Sequence, residues 1–181
     1  MGATPENMQK MPLIPSLERL MPYSDQIDSL LAEYGDILVP RLVEYEVELS
    51  EFPVEVLNEI RAIYAHLYRA SVSIDDKGIE GNLEKAKSHS KRAIIECYKY
   101  LYVTYDDRYH AFFKKYNYVN WHKSKLSADI SKLNDLRSSA VLILREAKEL
   151  ESTENKSKQT DYHEKYKVAY ETYYEMNKTI R

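Results

Sequence analysis

Apolar residues recur along this chain at helical spacing, and glycine or proline interrupts the pattern in only a few places. From Ser24 to about Leu49, Ile27, Leu30, Leu31 and Tyr34 share a face. Ser24 reads as the N-cap and Pro40 as a kink or split. The next helix is better signalled. Ser50 can cap it, Pro53 sits near its first turn, and Val56, Leu57, Ile60, Ile63, Tyr64, Leu67, Ala70 and Ile74 trace its stripe. Asp75-Asp76-Lys77-Gly78 ends it. A third helix is predicted from about Asn82 to Tyr116, through Leu83, Ala86, Ala93, Ile94, Cys97, Leu101, Tyr105 and Phe112, with Asp106-Asp107 as the place for a bend. A fourth runs from about Lys123 to Leu150, through Leu126, Ile130, Leu133, Ala140, Val141, Leu144 and Ala147. Glu151 to Gln159 reads as a polar linker. The last helix carries Tyr162, Tyr166, Tyr170 and Tyr173 at nearly a four-residue step.

These lengths and short connections predict an all-α protein, an antiparallel bundle of about five helices. Residues 1–22 hold Pro5, Pro12, Pro15 and Pro22 and read as an N-terminal arm with one helical turn at Ser16 to Leu20. Met11, Leu13, Ile14, Leu17 and Leu20 would pack part of it down. Residues 23–181 read as a single helical-bundle domain. There is no strand pattern and no Gly-rich phosphate loop.

Composition narrows the class. Of 181 residues, 44% are apolar and 30% charged, which excludes a disordered chain and a membrane-embedded one. The net charge of −3 argues against a strongly basic nucleic-acid binder and leaves a local basic face open. Cys97 is the single cysteine, so neither an internal disulfide nor a cysteine metal cluster can form, and Ile94, Ile95 and Leu101 around it predict burial. No metal or other cofactor is expected. No run reaches transmembrane length, and Glu6 spoils a myristoylation signal after Met1-Gly2. A cytoplasmic protein with no membrane partner is the expectation. Seventeen tyrosines beside three phenylalanines suit helix interfaces, each ring buried with a polar tip kept. The tyrosine stripe of the last helix therefore reads as core or interface before it reads as a base-stacking platform.

Candidate chemistry centres on residues 61 to 68. With Ile60 at the middle of the core face, Arg61 lies about 100° to one side and His66 about 120° to the other, so within one helix they cannot grip one atom. Between them, away from the core, lie Asn58, Ala62, Ala65 and Arg69. The alanines permit close approach of another helix, or of a second copy whose twofold pairing would bring Arg61 and His66 of different subunits together. The plainer alternative pairs Arg61 with Glu55 or Glu59 and leaves His66 at the edge of the core. A second constellation is the echo of His66-Leu-Tyr-Arg69-Ala70 in His89-Ser-Lys-Arg92-Ala93 on the next helix. Were the two polar faces to meet, His66, Arg69, His89 and Arg92 would form a basic cluster fit for a phosphate. The alternative is a solvated face in which Lys85, His89, Arg92, Glu96 and Lys99 pair along the helix.

The string Arg61-x4-His66-x-Tyr68 resembles the signature of HEPN domains, above all the toxins of HEPN/MNT toxin–antitoxin pairs. That resemblance implies an all-α, dimeric fold and a metal-independent ribonuclease. His66 would handle the proton of an RNA 2′-hydroxyl or of the leaving oxygen. Arg61 would stabilise phosphate charge, and Tyr68 would contact phosphate or be modified. The other classes left open are a protein-contact adaptor and a binder of a small anionic ligand through Arg69, His89 and Arg92. Expected partners follow the same division: a second copy through the Ala62/Ala65 face, RNA or a nucleotide, or another protein.

Overall fold

The computed structural model describes residues 16–152 and 159–181. They form α1 (Ser16–Leu20), α2 (Ser24–Glu33), α3 (Val39–Leu49), α4 (Val54–Val72), α5 (Asp76–Lys115), α6 (Ser127–Ser152) and α7 (Gln159–Ile180), with no strand among the described residues. A π-helical turn, Tyr34–Leu38, joins α2 to α3 in one rod, so five long rods make up the all-α bundle. Pro40 explains the turn. It has no N–H, and its ring would press on the carbonyl of Asp36. Widening the backbone just before it relieves that pressure without ending the rod.

Several helix ends differ from expectation for local reasons. Ser50 does not cap α4. It sits in the left-handed region at φ 55° and closes α3, its N–H donating to the Glu46 carbonyl. Pro53, extended and without a side-chain cap, precedes α4 instead. Tyr23, not Ser24, stands at the cap of α2. Asp75 both follows α4 and opens α5: its carboxylate accepts from the Gly78 N–H at 2.6 Å, so α5 starts at Asp76 rather than near Asn82. No break occurs at Asp106-Asp107. A 3-10 turn at Trp121–Lys123 precedes α6, which begins only at Ser127.

The 40-residue α5 is the spine, roughly 60 Å long. Against it α4 runs antiparallel, with His66 beside Asn82 and Glu59 beside His89 and Arg92. Then α6 is antiparallel to α5, with Arg137 on Asp106 and Lys99 on Glu151. Both α3 and α7 run parallel to α5: Glu44 meets Tyr105, Glu48 meets Arg108, and Tyr98 and Tyr102 stack on Tyr170 and Tyr173. Successive rods therefore alternate in direction, as short connections require.

The tyrosine stripe of α7 is core. Tyr166, Tyr170 and Tyr173 are buried, and so is Cys97, whose thiol burial pushes up to about 12. Leu20 and Tyr23 pack on Ala70, Ile79 and Leu83, so the end of the expected arm does pack down. Its Pro5, Pro12 and Pro15, with Met11, Leu13 and Ile14, lie outside the described residues, as do linker residues 153–158. The stripe of α4 is narrower than expected. Val56, Ile63 and Ala70 are buried, while Leu57, Tyr64 and Ile74 stand exposed, because a single helix groove takes a narrow ridge. Leu126 and Val141 of the fourth predicted stripe are likewise exposed.

Candidate anion-binding site

The first half of α5 extends past the start of α7. In that stretch Glu84, Ser88 and Lys91 recur at helical spacing on one face, with Lys87 and Arg92 on its flanks. From the other side α7 brings Tyr162 and His163. Together they enclose a cavity of about 380 Å³. Three cations line it, Lys87, Lys91 and Arg92, against the single carboxylate of Glu84. Neither Lys87 nor Lys91 has a carboxylate partner among the described residues. The positive end of the α7 dipole opens at the same place.

Two groups in the cavity are held by their surroundings. Burial first, and then the charge of Lys91, bring His163 down from 6.5 to about 4, against the opposing pull of Glu151. Its ring is therefore neutral near pH 7 and able to donate or accept one hydrogen bond. Arg92 is steadied by Glu59, its Nε donating to the carboxylate at 3.1 Å. An apolar cleft of about 200 Å³ adjoins the cavity. It shares Lys91 and His163 and continues over Ile37, Ile94, Ile95 and Tyr98. A larger space of about 490 Å³ along α6 and α7 is lined by Ile143, Leu150 and Val168 with Glu164 and Lys165. It brings no set of cations together, so its size alone gives it no chemistry.

The residues singled out from sequence divide. The two histidines of the echoed motif do meet: His66 and His89 stack with centroids 5.2 Å apart and planes 24° from parallel. Asn82 donates through Nδ2 to the Gly78 carbonyl, so its Oδ1 is left to accept from His66 Nδ1–H at 2.9 Å. His89 Nδ1–H donates to Glu59 at 2.6 Å. Glu59 thus pairs with His89 and Arg92, not with Arg61. Arg69 stays out of this group, exposed, with no side-chain partner among the described residues. Arg61 and Tyr68 are exposed as well, Tyr68 at 68%. His66 faces the α4–α5 seam while Arg61 faces outward, so a centre using both needs a second chain. Ala62 and Ala65 are half-buried. The cavity residues Lys87, Lys91 and His163 escaped the sequence reading. Only the Lys87/Lys91 i, i+4 pair of like charges was visible there, and such pairs repel unless something anionic joins them.

Scans of protein-family models, curated proteins and solved structures find no match for this chain. Among the described residues no group of histidine, cysteine and carboxylate side chains is arranged to hold a metal ion. Nor is any described helix long and apolar enough to cross a membrane.

Proposed function

We propose that this chain is a helical-bundle binding protein for a small ligand with a phosphate-class anionic head. The convergence of Lys87, Lys91 and Arg92 on one cavity, facing one carboxylate, carries this reading. Ser88 and Tyr162 add hydroxyls and His163 a neutral imidazole, which suit a multi-oxygen anion. The adjoining cleft over Ile94, Ile95 and Tyr98 suits an apolar or aromatic body attached to that head. The stacked pair His66 and His89 with Glu59 acts behind the site, fixing Arg92.

Titration of the full chain with inorganic phosphate and pyrophosphate, followed by NMR of the histidine ring protons, tests this. Bound anion offsets the Lys91 charge, so the His163 titration moves up from about 4. Lys87→Ala/Lys91→Ala weakens binding by about tenfold or more, roughly 1.4 kcal/mol, and Arg61→Ala leaves it unchanged. A His163 resonance that neither anion moves, or wild-type affinity in the double variant, would overturn the reading.

A second reading concerns the outer face of α4, where Val54, Leu57, Tyr64, Tyr68 and Val72 are all exposed around Arg61. An antiparallel twofold copy would set Val54 against Val72, Leu57 against Tyr68, and Arg61 over Tyr64. This pairing differs from the Ala62/Ala65 pairing that would join Arg61 to His66 of a second copy, because His66 faces α5. Sedimentation equilibrium of wild type and Leu57→Glu decides it: a dimer dissociated by the variant supports the pairing, and a wild-type monomer rejects it.

A further inference from the structure

The opposite end of the spine carries a different surface. Between Asp107 and Asp129 the sequence has no acidic residue, while Lys114, Lys115, Lys123 and Lys125 fall within that stretch. All four lysines are exposed, and none has a carboxylate partner among the described residues. Lys115 lies over the Tyr116 ring at 5.2 Å. In a chain of net charge −3 this is a local excess of one sign.

Glu48, at the end of α3, meets Arg108, so α3 stops level with Arg108. From there α5 continues to Lys115, about 10 Å further. On its other side Tyr109 bonds Asn134 at 2.6 Å, and α6 reaches the same distance beyond that contact. The α5–α6 hairpin thus reaches past the end of α3.

Its tip is aromatic. Trp121 stacks on Phe112 at 5.7 Å, and the rings of Phe113 and Tyr116 meet it edge-on. Outside this knot, Tyr118 is 78% exposed and Leu126 52% exposed. Single-stranded nucleic acid needs open ring faces along a basic groove. Here the rings cover one another, and an aliphatic side chain is exposed near the tyrosine. Amphipathic aromatics, an exposed leucine and lysines with long stems are instead the components of an interfacial anchor.

We propose that the α5–α6 tip lies on an anionic lipid surface, with Tyr118 and Leu126 entering the headgroup region and the four lysines meeting lipid phosphates and carboxylates. This departs from the expectation of no membrane partner, which rested on the lack of a spanning segment. Lying on a bilayer needs only a charged, amphipathic patch.

Co-sedimentation of the full chain with phosphatidylcholine vesicles, with and without phosphatidylserine, tests the proposal. Trp121, the only tryptophan, reports from the tip itself. We expect binding only with phosphatidylserine, weakening with salt, and a blue shift of Trp121 emission. Lys114→Ala/Lys115→Ala lowers affinity about thirtyfold. Tyr118→Ala lowers it several-fold and leaves the salt dependence unchanged. These side chains are exposed, so the fold survives, and circular dichroism verifies that. Lys87→Ala/Lys91→Ala binds vesicles like wild type, which keeps this surface separate from the cavity. Failure to sediment with phosphatidylserine vesicles would overturn the proposal, as would equal sedimentation of the tip lysine variant. Binding to a single-stranded oligonucleotide without binding to vesicles would reassign the patch to nucleic acid.

Discussion

Two polar clusters sit along the same helix and are built on opposite terms. In the second half of α5, Glu44 accepts hydrogen bonds from the Tyr105 and Tyr170 hydroxyls and from Arg41. Glu48 is enclosed by Arg108 and Arg181. Burial would raise Glu48, but the two guanidiniums outweigh it and hold the carboxyl below its usual range. Glu151 takes the Tyr166 hydroxyl at 2.5 Å and the Lys99 ammonium at 2.9 Å. Each of these three carboxylates is matched within the bundle. In the first half, Glu59 satisfies His89 and Arg92, and then Lys87 and Lys91 are left over. A closed network stabilises one arrangement of helices, whereas unmatched cations at a cavity are available to a ligand.

The largest expected effect comes from cutting the two networks alike. Removing Glu44 strands three donors in a part-buried place, so Glu44→Ala should cost about 3 kcal/mol. In a domain of this size that lowers Tm by about 10 °C. Glu59→Ala releases His89 and Arg92 toward water and should cost no more than about 1 kcal/mol. Equal losses in thermal denaturation would erase the distinction between the halves.

Raising the pH isolates the closed half. Burial, in places joined by a neighbouring carboxylate, lifts Tyr98, Tyr100 and Tyr173 to about 12 and Tyr105 and Tyr166 higher still. Their folded values exceed the unfolded value of 10, so the unfolded chain loses these protons first. Stability is fully present below about pH 10 and falls as pH rises toward 12. Urea midpoints across that window should drop steeply in wild type and less steeply in Tyr105→Phe. A flat profile would mean that these hydroxyls are not held as described.

Lowering the pH probes the open half, with the smallest effect. His163 has a folded value near 4 and an unfolded value near 6.5. The unfolded chain therefore takes up the proton first, and stability declines as pH falls from 6.5 to 4. Glu48, lowered from 4.5, contributes its own loss only below that value. His163→Gln should flatten the profile above pH 4.5, and saturating phosphate should do the same in wild type. If neither changes the slope, His163 does not belong to the cavity's electrostatics.

Much of the scaffold was legible in the chain. The spacing of Val56, Ile63 and Ala70 gave α4 its buried ridge, and the step from Tyr166 to Tyr173 gave α7 its core face. Local backbone chemistry was less legible. Ser50 offers a capping hydroxyl by type, yet its left-handed φ closes α3 instead. Asp75 looked like the end of a helix because a helix does end there, and only the Gly78 N–H shows that it also begins the next. The His66/His89 echo marked a real contact, but Glu59 is what that contact serves.

The sequence by itself determined the all-α rods, their alternating directions and the burial of tyrosine, because periodicity and short connections act within a few residues of each position. Tertiary structure alone decided which charges remain unmatched. Lys91 and His163 stand far apart in the chain and line one cavity only because α7 begins partway along α5. Likewise, the aromatic lysine-rich stretch after Arg108 reaches past α3 only because α3 ends at Leu49. Where a helix stops against its neighbours is set by packing across the bundle, which no local pattern records.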